Sequence, residues 1–215
     1  MTPERLQELL ADYIEQPLSL RQTEQLLTYL DLLLKWNAKT NLTAIREPEP
    51  IVRRHFGESL ALAELVDELA GIETAADLGS GAGFPGLPLA IFCPEIKVTL
   101  IESQNKKATF LKEVVRTLDL ANVSVLNQRA EEVALKFDLI TLRAVERFTQ
   151  ALMVGTGMLR EGGYLGLLVS SEQLPEIKTA LAHRNMTWHE EALPENARAV
   201  LGSTFFFSFC GAGKS

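Results

Sequence analysis

Apolar positions in the first 70 residues recur every three to four places, while from residue 74 onward they gather into short runs. Leu6, Leu9, Leu10 and Tyr13 fall on one helical stripe, behind Thr2 and Pro3 as cap and first-turn residue. Pro17 interrupts that stripe, and Ser19 with Gln22 then gives the capping-box spacing for a second helix. Its apolar members are Leu26, Leu27, Leu30, Leu33 and Leu34, with Trp36 near its end, and so dense a leucine stripe reads as a core face. Pro48 and Pro50 open a third helix, carried by Ile51, Val52, Leu60, Leu62, Leu65 and Val66.

Beyond residue 74 the pattern is that of alternating strands and helices. Strands are predicted at 74–78, Val98–Ile101, Val123–Leu126, Phe137–Leu142, Tyr164–Val169 and Thr204–Phe209, with helices around 84–92, 105–119, 146–159 and 172–183. Gly162 and Gly163 read as a turn into the fifth strand. The expectation is an α/β protein: a doubly wound, mostly parallel sheet over residues 71–215 under an N-terminal helical cap of residues 1–70, the two forming one unit.

Composition narrows the class. At 215 residues and 47% hydrophobic content, the chain can bury a sizeable core without covalent staples. Cys93 and Cys210 lie in apolar surroundings without metal-ligand spacing, so they read as buried thiols in a reducing compartment. No segment approaches the length of apolar chain that spans a bilayer, and no signal segment is recognised, so the expectation is a cytoplasmic protein with no membrane partner. No metal is expected, since His55, His183 and His189 have no companions at ligand spacing, and a monomer is the expected state. The net charge of −7 argues against a protein that coats nucleic acid non-specifically. Two segments run against it. Lys35, Lys39, Arg46, Arg53 and Arg54 outnumber Glu47 and Glu49, and Lys106, Lys107, Lys112 and Arg116 outnumber Glu113. Taken alone, they read as solvated faces; beside a cofactor site they would suit an RNA substrate.

The candidate chemistry concentrates in Asp77-Leu-Gly-Ser-Gly-Ala-Gly-Phe-Pro-Gly86, which follows the first strand. Glycines at 79, 81 and 83 let the backbone turn sharply and approach a ligand closely. Gly81, Gly83 and Gly86 also satisfy the dinucleotide spacing, and Glu102 supplies an acid about twenty positions on. Asp77 favours S-adenosylmethionine over NAD(P), because a carboxylate before the turn suits a cationic cofactor better than a pyrophosphate. Glu102, ending the second strand, is placed to accept hydrogen bonds from ribose hydroxyls, with a dipole-favoured helix-start acid as the plainer alternative. Ala130 and Glu131, after the third strand, are placed to line an adenine ring unless they form an ordinary connecting loop. Arg143 closes the fourth strand facing the cleft, where substrate or cofactor contact is expected. Lys106 and Lys107 suit an RNA phosphate, an NADP 2′-phosphate or plain surface charge. The terminal Gly211-Ala-Gly-Lys-Ser215 ends like a P-loop, but its leading glycine would fall on Ser208 and no helix can follow. No serine-hydrolase elbow is present apart from the glycine turn itself.

These residues resemble the bacterial small-subunit rRNA methyltransferase G family, also called glucose-inhibited division protein B. The resemblance rests on Trp36-Asn37, Thr40-Asn41-Leu42-Thr43-Ala44-Ile45, His55-Phe56 with Ser59-Leu60, and Asp77 through Pro88. It continues in Glu102-Ser103, Lys106-Lys107, Phe110-Leu111, Arg129-Ala130-Glu131 and Arg143-Ala144-Val145, over about residues 30 to 170. It implies a Rossmann-like, seven-stranded class I methyltransferase fold and methyl transfer from S-adenosylmethionine to a guanine N7 in the decoding region of 16S rRNA, with that rRNA or the small ribosomal subunit as partner. It implies cofactor contacts at Gly79, Phe84, Ala130, Glu131 and Arg143, with Glu102 at the ribose. Asp77, Gly81 and Gly83 complete the expected cofactor set, Arg143 is the candidate catalytic residue, and Asn41, His55, Lys106 and Lys107 are the expected RNA-side residues. The chain departs from the family in three places. Val169-Ser170 stand where a Lys-Gly pair is usual, Glu58 replaces an aspartate, and Thr204-Phe-Phe-Phe-Ser-Phe209 replaces a basic final strand.

Overall fold

The computed structural model describes residues 1–143, 148–184, 186–194 and 197–203. Strands β1 (Thr74–Leu78), β2 (Lys97–Ile101), β3 (Val123–Leu126), β4 (Phe137–Arg143) and β5 (Leu159–Ser170) pair in parallel. Two further strands, β6 (Thr187–Ala192) and β7 (Ala197–Ser203), form an antiparallel edge with β7 beside β5. The sheet order is β3-β2-β1-β4-β5-β7-β6, so the winding reverses between β1 and β4. At such a reversal the connections leave to opposite faces and open a crevice at the carboxyl ends of the strands.

Alternation along the strands splits the core into two layers. Ala75, Val98, Leu100 and Leu139 face one cluster, while Ala76, Leu78, Ile101, Ile140 and Leu142 face the other. The first layer holds α1 (Pro3–Leu10), α2 (Leu20–Asn37), α4 (Glu58–Asp67), α5 (Gly86–Phe92) and α6 (Asn105–Thr117). The second holds α7 (Phe148–Met158) and α8 (Leu174–Ala180). The cap helices therefore share one buried cluster with the sheet, running from Leu6 to Ala199.

The N-terminal signals act as read. Thr2 accepts from the Arg5 amide at 3.2 Å, and Ser19 and Gln22 complete both halves of their capping box. Asn37, 3% exposed at the end of α2, organises the following loop. Its Oδ1 accepts from the amides of Leu42 and Thr43 at 2.9 and 3.1 Å, and its Nδ2 donates to the Ile45 carbonyl at 3.2 Å.

Four expectations are corrected. The third helix is not uniform: α3 (Pro48–Ile51) passes into a π-helical turn, Val52–Gly57, before α4 begins. A π turn admits one extra residue per turn without breaking the apolar stripe, so periodicity alone does not reveal it. Gly162 and Gly163 lie within β5 rather than before it, where the register against β4 shifts between Phe137 and Leu139. The antiparallel edge is built from 187–192, which is largely polar, and 197–203, whose only large apolar residues are Val200 and Leu201, so neither stands out as a strand. The expected strand Thr204–Phe209 lies outside the described residues. Helix α8 is shorter than the predicted 172–183 and gives way to a 3₁₀ turn at Ala182–Arg184. Among the described residues no helix is long and apolar enough to cross a membrane.

The glycine turn between β1 and α5 depends on close backbone packing. A Cβ on Gly86 would stand 2.4 Å from Leu100 Cδ2 and 2.8 Å from Asp77 Cβ. Gly83, at φ +96°, would put one 2.7 Å from the Tyr29 hydroxyl. Gly86→Ala is expected to cost about 1–3 kcal/mol through overpacking. Urea unfolding should show a lower midpoint with an unchanged slope.

Candidate functional site

A cavity of about 490 Å³ opens at the carboxyl ends of β1 and β2, within the size range of small-molecule sites. Leu78 and Ile101, from the strand ends, and Ala151 and Val154, from α7, give it apolar walls. Gly79, Glu102, Lys107, Ala130 and Glu131 bring polar and backbone groups to it. Glu102 is 5% exposed and fixed from two sides: Oε2 accepts from the Gly81 amide at 2.9 Å and Oε1 from the Gln104 amide at 2.7 Å. A carboxylate has about four lone-pair positions, so this one keeps acceptor capacity on the cavity. Ala130–Glu132 form a 3₁₀ turn, and Glu131 Oε1 accepts from Gln150 of α7 at 3.4 Å. A larger cavity, about 1040 Å³, lies at the opposite end of the sheet beside Thr74, Lys97 and Val123. There the Gln22 and Asn122 amides are already spent on backbone carbonyls, and the topological switch point is elsewhere.

Asp77 is not on the cavity wall. It is 1% exposed behind the turn, where Oδ1 accepts from the Thr141 hydroxyl at 2.9 Å and Oδ2 from the Gly86 amide at 3.4 Å. The expected direct approach to a cationic cofactor is replaced by a brace joining β1, β4 and the start of α5. Burial pushes its carboxyl up to about 6, against the opposing hydrogen bonds of Thr141, Ser80 and Gly86.

Phe84, His55 and Arg143 form a second group beside the turn. Phe84 is stacked between Tyr29, at 5.2 Å, and His55, at 4.9 Å, with the Arg143 guanidinium 6.0 Å from its ring centre. Arg143 does not reach Asp77; Thr141 holds that position instead. Its guanidinium donates to Glu58 Oε2 at 2.6 Å and to the carbonyls of Arg54 and His55, at 2.6 and 3.4 Å, within the π-helical turn. Its ionic partner is thus this chain's own Glu58, and both side chains are largely buried. His55 Nε2 lies 2.7 Å from the Thr43 hydroxyl. Burial, with the nearby charges of Arg143 and Arg54, pushes the imidazole down to about 3, so it is neutral at physiological pH.

Gly79, Glu102, Ala130 and Glu131 meet around one cavity, joined by Lys107 from the RNA-side set. Gly81 and Gly83 shape the turn, and Lys106 is exposed at the start of α6. Asn41 is exposed and accepts from Arg46 at 3.1 Å. Sequence reasoning missed Ala151 and Val154, whose apolar spacing on α7 reads equally as core. It also missed Tyr29, which belongs to the leucine stripe of α2. Cys93 is a buried free thiol as expected, while Cys210 lies outside the described residues. Asp67, Cys93 and Glu95 come together. Burial first, then those two acids, raises the Cys93 thiol far above its ordinary range and disfavours the thiolate that a metal needs.

A sequence model of the family described as rRNA small subunit methyltransferase G (GidB) matches residues 22–197. The ribosomal RNA small subunit methyltransferase G of Xylella fastidiosa strain M23 is 49% identical over 142 residues, 65% of each chain. The protein of that name from Desulfitobacterium hafniense is 41% identical over 194 residues, 84% of this chain and 79% of its own. The chain therefore spans just under two thirds of the Xylella protein it matches. Among solved structures, a ribosomal protein L11 methylase from Lactobacillus delbrueckii superposes with a TM-score of 0.59 at 19% identity, over 68% of this chain and 78% of that one. An S-adenosylmethionine-dependent methyltransferase from Aquifex aeolicus gives 0.54 at 20%, over 66% and 89%. Both share the class I methyltransferase fold.

Asp77 gives a pH test with a definite sign. A carboxyl near 4 when unfolded and about 6 when folded contributes stability below pH 4 that is lost as pH rises through 6. Asp77→Asn should therefore gain on the wild type by about 2–3 kcal/mol between pH 4 and pH 7. Paired urea titrations at those two values measure the difference.

Proposed function

This chain belongs to the rRNA small subunit methyltransferase G family, and we propose that it transfers a methyl group from S-adenosylmethionine to N7 of a guanine in the decoding region of 16S rRNA. The observation that carries the reading is the cavity at the switch point, with the Glu102 carboxylate locked on its wall and apolar side chains facing it. Glu102 would accept from the two ribose hydroxyls, and Ala130, Glu131, Leu78, Ile101 and Val154 would enclose the adenine. Gly79 admits the rest of the cofactor close to the backbone. The cofactor supplies an electrophilic methyl on a sulfonium centre.

Guanine N7 carries a free lone pair, so the attack needs no general base. The residues agree with that chemistry. His55 is neutral and bound to Thr43, and Arg143 is committed to Glu58 and two carbonyls, so neither is set up to relay a proton. The work left to the protein is alignment of nucleophile and methyl, and accommodation of a moving positive charge. We accordingly assign Arg143 a supporting role, holding the π-helical turn and the wall beside Phe84.

The basic segments support an RNA acceptor. Helices α2 and α6 lie antiparallel, with Gln25 donating to the Leu118 carbonyl at 3.0 Å and Trp36 to Glu113 at 3.1 Å. The end of α2 therefore packs against the middle of α6, the helix whose Lys107 lines the cavity. Lys35, Lys39, Lys106 and Lys112 are exposed on these two helices and the turn after α2. Arg53 and Arg54 are partly occupied by Asp12 and Glu58, which leaves the lysines as the main phosphate contacts. The dinucleotide alternative is disfavoured by the turn itself. The Gly81 and Gly86 amides, which would face a pyrophosphate, are taken by Glu102 and Asp77.

Methyl transfer from labelled S-adenosylmethionine to small subunits from cells lacking this gene is expected to label one guanine N7. No label, or label on another atom, would refute the assignment. Thermal shift should show stabilisation by S-adenosylhomocysteine and none by NAD(P). Glu102→Ala is expected to weaken S-adenosylhomocysteine at least about tenfold, roughly 1.4 kcal/mol, by isothermal calorimetry.

A further inference from the structure

The glycine turn is tied to the sheet by bonds from the strands. The Gly79 and Ser80 amides donate to the Ile101 carbonyl at 2.9 and 3.2 Å and Gly81 to Glu102, while within the turn Gly83 donates to the Ser80 carbonyl at 2.6 Å. One bond comes from the helical cap. The hydroxyl of Tyr29, in the middle of α2, donates to the carbonyl of Ala82. Tyr29 is fully buried, and its ring lies 5.1 Å from Phe56 and 5.2 Å from Phe84, the residue that follows the turn. At Gly83 the hydroxyl occupies the space a Cβ would need. Burial first, then the nearby Asp77 carboxylate, holds the phenol well above its ordinary range, so it remains a donor.

We infer that Tyr29 is a positioning residue for the cofactor turn, its hydroxyl drawing the Ala82 carbonyl into the core and thereby setting the backbone of a turn whose Gly79 lines the cavity and whose Gly81 amide fixes Glu102. A buried carbonyl without a donor is unfavourable, so loss of this hydroxyl favours rotation of the Ala82–Gly83 peptide. The peptide lies two peptide units beyond the Gly81 amide that fixes Glu102. A side chain of the N-terminal helices thus helps to shape the cofactor site although it does not line the cavity.

The inference rests on the reading that the cavity binds S-adenosylmethionine. Its test is S-adenosylhomocysteine binding by calorimetry to the full-length chain and to Tyr29→Phe, which keeps the ring stack and removes one oxygen. The expected result is a Kd raised at least about tenfold. With small subunits as acceptor, KM for S-adenosylmethionine should rise while kcat stays within about twofold. Amide exchange across residues 79–83 should accelerate in the variant. Leu9→Ala, a buried change in α1, should lower the melting temperature without moving that Kd. A Tyr29→Phe Kd within twofold of the wild type would overturn the inference, whatever its melting temperature. Failure of the wild type to bind S-adenosylhomocysteine would remove the cofactor reading and this inference together. Binding without methylation of 16S rRNA would leave the inference standing and overturn only the acceptor.

Discussion

The close approach of the 79–86 backbone to the groups around it is the constraint on which the site depends. Asp77 holds it from β1, Glu102 from the end of β2, and Tyr29 from the cap. Each contact uses an oxygen against backbone, and Gly83 and Gly86 leave no room for a side chain. The two carboxylates are spent differently. Asp77 is sealed in and braces the turn, whereas Glu102 stands on the cavity with its orientation already fixed. A carboxylate oriented by the protein loses little freedom when a ligand arrives, so more of its interaction appears as affinity.

Arg143 and the π-helical turn form a second arrangement of the same kind. The carbonyls of Arg54 and His55 receive the guanidinium, and Glu58 balances its charge. Removing one partner from so buried a pair leaves an uncompensated charge, which makes the arrangement intolerant of single changes. Glu58 Oε2 reaches Arg143 at 2.6 Å.

Much of this was legible in the sequence because it is local or periodic. The capping signals, the leucine stripe, the five parallel strands and the glycine turn all reside in short windows, and the structure follows them closely. Gly79, Glu102, Ala130 and Glu131 could be placed together because parallel strands deliver their carboxyl ends to one crevice. What could not be read depends on contacts between distant segments. The brace role of Asp77 needs Thr141, the commitment of Arg143 needs Glu58, and Tyr29 gains its role from a carbonyl 53 positions away. The π-helical turn and the glycine-bearing shift inside β5 were missed because neither changes which residues are apolar.

The two-layered core has an optical consequence. The chain has two tryptophans, and they fall on opposite sides of the sheet. Trp36 packs against the cluster shared by the cap and α6, its indole bonded to Glu113, while Trp188 packs against the cluster under α7 and α8. Each layer therefore carries its own fluorophore. The emission of one reports the α2–α6 junction, and that of the other reports the antiparallel edge.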